Sequence, residues 1–68
     1  MSDPDFYERV VGRDPTGHQR VFAPTMLECV QEAETYIRRR PDTGPLLQWQ
    51  FVVQRFEGDL LLNEEAIT

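Results

Sequence analysis

The side chains best suited to chemistry in this sequence are one cysteine, one histidine, and scattered arginines and carboxylates. A thiolate–imidazole nucleophile would need Cys29 and His18 within hydrogen-bond reach, with a third group orienting the base. His18 follows a turn signal, whereas Cys29 falls near the start of a helix signal, where the helix N-terminus lowers a thiol pKa. A lone cysteine on a helix is far more often a small packing residue. One Cys and one His cannot close a tetrahedral metal site. Among the carboxylates, Asp14, Glu28 and Asp59 each have a local task, at a turn, a helix cap and a second turn. Gly12, Gly17, Gly44 and Gly58 fall one per bend and form no phosphate-binding loop. The expectation is therefore no catalytic residue, no cofactor site, no metal site and no enzyme activity.

The strongest electrostatic feature is the run Arg38, Arg39 and Arg40. Three guanidinium groups can clamp phosphate or a partner's carboxylates. The same residues at a helix C-terminus satisfy terminal carbonyls and complement the dipole, which accounts for their position as well as their charge. Every basic residue is Arg, and Arg9, Arg13, Arg20 and Arg55 extend a nucleic-acid reading into a basic stripe. Aromatic interleaving is limited to Tyr7 and Tyr36, so that reading is the secondary one.

These residues must be positioned by a small frame. The chain has 68 residues and a net charge of -5, with 40% hydrophobic residues. That is too apolar for a disordered tail and too acidic overall for non-specific nucleic-acid binding. A chain of this length buries only about 60% of its unfolded surface, so its core is marginal. With Cys29 as the only cysteine, an internal disulfide is excluded, and docking or self-association is the stabilising route left open. The apolar runs do not exceed three residues, so no membrane span is expected. The opening Met-Ser-Asp-Pro-Asp lacks a basic-then-apolar leader pattern, and the single unpaired thiol suits the cytoplasm.

Along the chain, Phe6–Arg13 is rich in Phe, Tyr and Val and reads as a strand apolar on both faces. Either Phe6 and Val10 or Tyr7 and Val11 must then point away from the core. Asp14-Pro15-Thr16-Gly17 has the residue order of a type I turn and pairs that strand with His18–Ala23. Thr25 and Glu28 make a capping box, and Met26, Val30, Ala33 and Ile37 recur at helical spacing, widened by Leu27 and Tyr36. Pro41 ends the helix at Arg40. Leu47, Trp49, Phe51 and Val53 then alternate with Gln48, Gln50, Val52 and Gln54, and Glu57-Gly58-Asp59 turns the chain into a short strand at Leu60–Leu62. Residues 1–5 and 64–68 are expected to fray. The reading is one domain over 1–68 in the α+β class: ββαββ, an antiparallel sheet with one helix packed across one face.

This arrangement puts Trp49 and Phe51 against the helix and leaves Gln48, Gln50, Val52, Gln54 and Phe56 on the outer sheet face. That face, with Arg38–Arg40 as a second corner, is the expected protein-binding surface. The expected function is a small acidic accessory or regulatory module that binds another protein or itself, with homo-oligomerisation favoured. The alternatives are a nucleic-acid or nucleoprotein binder using an Arg patch, or an acidic inhibitor that mimics nucleic acid. The last predicts that Asp3, Asp5, Glu8, Glu57, Asp59, Glu64 and Glu65 gather in space.

Overall fold

A computed structural model describes residues 5–67. Strands β1 (Phe6–Arg13) and β2 (Gln19–Ala23) form the first hairpin, followed by helix α1 (Met26–Arg39). Two single 3-10 turns, Pro41–Thr43 and Leu46–Gln48, lead into β3 (Gln50–Glu57) and β4 (Leu60–Ala66). The sheet is antiparallel throughout, in the order β2-β1-β3-β4, with α1 on one face: the ββαββ α+β architecture. β1 is central, as its apolar residues on both faces require.

Each local signal has a visible physical counterpart. The Gly17 N–H donates to the Asp14 carbonyl at 2.9 Å, and Gly17 takes φ 88°, which an L side chain resists. Thr25 Oγ1 accepts from the Glu28 N–H at 3.2 Å and caps the helix. The Arg40 N–H closes the other end on the Tyr36 carbonyl. Between α1 and the sheet, Val10, Val21, Ala23, Cys29, Ala33, Trp49 and Phe51 form the buried core. Trp49 is anchored by its indole N–H, which donates to the Thr43 carbonyl at 2.7 Å. Gly12 lies below this aromatic layer, where an added Cβ would stand 2.8 Å from Val21 Cγ2 and 3.1 Å from Phe51 Cε1.

Four sequence expectations are corrected. Leu47 and Gln48 belong to a 3-10 turn, and β3 starts at Gln50. The Pro45-bounded loop uses those residues to deliver Trp49 into the core, leaving Leu47 97% exposed. Leu27 is exposed on α1, and Cys29 takes its place in the buried stripe, because the helix presents Cys29 and Ala33 most directly to the sheet. β2 begins at Gln19, since His18 belongs to the turn. Glu64 and Glu65 do not fray: β4 continues through Ala66, held by β3 and by arginine partners. Of the expected frayed start, 1–4 and of the end, 68 lie outside the described residues.

The fold is elongated. Its radius of gyration is 13.3 Å and its extents are 48 × 17 × 17 Å. A compact chain of this length would have a radius of gyration near 11 Å. The sheet outruns its helix. β2 pairs only with Val10–Arg13, whereas β3 pairs along all of β1 from Phe6 to Arg13. The end holding Phe6–Glu8, Glu57 and Leu60–Leu62 is an exposed three-stranded arm.

Candidate functional site

The outer face of the sheet, opposite α1, is organised by register. Tyr7, Arg9, Val11 and Arg13 of β1 stand opposite Phe56, Gln54, Val52 and Gln50 of β3. This resolves the alternative left open by composition: Tyr7 and Val11 point outward with Val52 and Phe56, and Val10 enters the core. Arg9 Nε donates to Gln54 Oε1 at 2.8 Å, Gln54 Nε2 donates to Glu64 Oε1 at 2.8 Å, and Arg13 Nη2 meets the same carboxylate at 2.6 Å. Gln54 and Arg13 hold the Glu64 carboxyl below the ordinary carboxylate range. Hydrogen bonds to the ionised form produce that shift. Beneath this network Val11 is fully buried, Val52 is 2% exposed and Gln54 5%.

The expected binding face is therefore partly sealed by its own side chains. Val52 and Gln54 are covered, Gln50 is exposed at the start of β3, and Gln48 lies off the sheet. Phe56 is half-buried and stacks on Tyr7 with ring centroids 5.0 Å apart. The Arg9 guanidinium lies between two rings, 5.1 Å from the Phe22 centroid and 5.0 Å from that of Phe56. This aromatic–guanidinium ladder is the accessible part of the outer face. The sequence offers Tyr7 as one of two possible outward residues and Arg9 as part of a basic stripe. It does not single out Phe22, and only the β1–β2–β3 register brings the three together. On the arm, Phe6, Leu60, Leu61 and Leu62 are likewise exposed.

The reactive side chains stand apart. Cys29 is fully buried in the core, where burial, and secondarily Glu32, pushes its thiol up to about 11. Desolvation opposes the thiolate more strongly than the helix N-terminus favours it. His18 is exposed on the first turn, with Nδ1 2.7 Å from Thr16 Oγ1. That hydroxyl donates to Asp14 Oδ1 at 2.5 Å, and Asp14 also accepts from the Thr16 and His18 N–H groups and from Arg20 Nε. The Thr16 hydroxyl and Arg20 hold the Asp14 carboxyl far below the ordinary range. A carboxylate so committed to its turn is a poor proton acceptor. Among the described residues no group of three or more His, Cys, Asp or Glu side chains could hold a metal ion.

Arg38, Arg39 and Arg40 are all exposed and make no ion pair among the described residues. The other arginines do not join them in a stripe. Arg13 pairs with Glu64, Arg20 with Asp14, and Arg55 with Glu8 and Glu65, while Arg9 is held in the aromatic ladder. The acidic residues divide as well. Asp5, Glu57 and Asp59 lie around the arm tip, where the Gly58 N–H donates to the Asp5 carbonyl, whereas Glu64 pairs with Arg13 and Glu8 and Glu65 share Arg55. Asp3 lies outside the described residues. No helix among the described residues is long and apolar enough to cross a membrane. The chain matches no family model, no curated protein and no solved structure.

Proposed function

We propose that this chain is a protein-binding accessory or regulatory module, without catalytic activity, that works in the cytoplasm. The observation that carries the reading is the exposed arm, which presents Phe6, Tyr7, Leu60, Leu61 and Leu62 beyond the reach of α1. Apolar surface gathered on one projecting element is what a protein partner covers. The committed thiol, turn carboxylate and arginines support a binding role over a chemical one. Arg38–Arg40 supply a second corner, suited to a partner's carboxylates.

Co-purification from the native host tests the reading, with the wild-type chain beside a Phe6→Ser/Leu61→Ser variant. A stoichiometric protein partner, or self-association, that is lost in the variant is the expected result. Recovery of neither refutes it. The nucleic-acid reading predicts binding at low salt that weakens steeply as salt rises. With Arg13, Arg20 and Arg55 paired to carboxylates of the same chain, a titration is expected to show no such affinity.

A further inference from the structure

Among the described residues the sheet has three stretches of free edge, and they are not equivalent. The pairing of β2 slips where Gly12 opposes Val21 and Arg13 opposes Gln19, leaving Arg20 as an extra residue. The pairing of β4 slips where Arg55 opposes Asn63 and Phe56 opposes Leu61, leaving Leu62 extra. Bulges of this kind are a standard way to blunt an edge against adding another strand. The third stretch is the side of β1 that β2 does not reach, Phe6–Arg9, and its register with β3 is unbroken. It borders a notch of about 390 Å³ formed with Phe22 and Pro24 where β2 ends and with Glu32 of α1.

Backbone alternation shows what this edge offers. The Asp5 carbonyl accepts from the Gly58 N–H on the side of the β3–β4 hairpin. Successive residues of a strand turn their N–H and C=O to opposite sides, so Phe6 and Glu8 present both groups to the free edge. Another strand can pair here only in a register that places its own outward-facing residues opposite these two.

We infer that the Phe6–Arg9 edge of β1 pairs antiparallel with the same edge of a second copy, joining the two sheets into one. This rests on the protein-binding reading and names the partner. The symmetric register that satisfies the backbone puts Phe6 opposite Glu8 of the second copy, each pair exchanging both bonds. Tyr7 then meets Tyr7 across the two-fold axis at the closely spaced position, where aromatic pairs are favoured. Asp5 comes opposite Arg9 of the second copy, and no like charges stand opposite one another along the two paired strands. The register ends at Val10, whose free side is already paired with Ala23 of β2. A self-complementary patch of this kind is what a two-fold interface requires. The charge pairing singles out a second copy from other strands that could lie in the notch.

The test is sedimentation of the full chain between about 10 μM and 1 mM, a range that brackets a weak dimer. It is accompanied by amide hydrogen exchange at low and high concentration. The expected result is a concentration-dependent dimer that slows exchange at Phe6 and Glu8. Glu8→Pro removes one outward N–H at an edge position that tolerates proline, and raises the dimer Kd about tenfold or more. Circular dichroism confirms that the variant folds. Should it not, Asp5→Arg, which keeps every backbone bond of β1 and sets like charge opposite Arg9, carries the test and weakens the dimer in the same direction. A monomer across the whole range overturns the inference, as does a dimer whose slowed amides lie in β4 or one indifferent to both variants. A monomer would still leave the broader binding reading to the co-purification experiment.

Discussion

The two ends of the sheet use the same residue types to opposite effect. At the helix-covered end, Val10, Gly12, Val21, Trp49 and Phe51 are buried against Cys29 and Ala33 of α1. At the arm, Phe6, Tyr7, Leu60, Leu61 and Leu62 remain exposed although they too belong to strands of the sheet. The β1–β3 ladder does not distinguish the two, since it runs unbroken through both. What differs is the presence of a second layer. α1 covers part of one face, the Arg13–Gln54–Glu64 network covers Val11 and Val52 on the other, and apolar side chains beyond both stay in water. The covered end is the source of stability, and the arm is surface held in place by it.

That contrast can be broken most directly at Trp49. Trp49→Ala removes a buried ring in contact with Tyr36 and Phe51 and should cost about 3–5 kcal/mol. A domain of this size has about that much to lose, so urea titration should find the variant largely unfolded. Gly12→Ala is smaller in chemistry but falls at the same place. Its methyl group would have to displace Val21 and Phe51, at about 1–3 kcal/mol, read as a lower urea midpoint.

A pH series sharpens the comparison at the turn that holds β1 and β2 together. The folded-state pKa of Asp14 lies below its unfolded value, so its stabilisation is present above about pH 4 and is lost as pH falls through the folded pKa. Thermal melts from pH 7 to 2 should therefore show Asp14→Asn less stable than wild type at neutral pH, with the gap closing in acid. The smallest effect is expected at the arm itself. Phe6→Ser should change the unfolding free energy read from urea titration by no more than about 0.5 kcal/mol, because the ring is 64% exposed. A loss comparable to that of Gly12→Ala would show that the arm contributes to the core.

Local chemistry made several elements legible. Thr25 and Glu28 marked the helix start, Pro41 its end, and Asp14-Pro15-Thr16-Gly17 the hairpin, because capping and turn preferences act between residues a few positions apart. Period-two alternation likewise placed Trp49 and Phe51 on one face. The same alternation over-extended β3 to Leu47, since a short apolar stretch does not separate a strand from a 3-10 turn. It also offered Val52 and Gln54 as accessible surface, when Arg13, Gln54 and Glu64 form a network that seals much of that face.

The sequence by itself therefore determined the order of elements, the capped helix, the hairpin turn and the absence of a disulfide, all properties of near neighbours or of composition. Tertiary structure alone decided the rest. Register chose Tyr7 and Val11 as the outward pair, stacked Arg9 between Phe22 and Phe56, and drew Glu64 into the sheet. The short reach of β2 and α1 left Phe6–Arg9 as an unblunted edge. Strand partners are distant in sequence, and a one-residue slip exchanges the two faces of a sheet. Which apolar residues become core and which become surface is accordingly settled only when the strands meet.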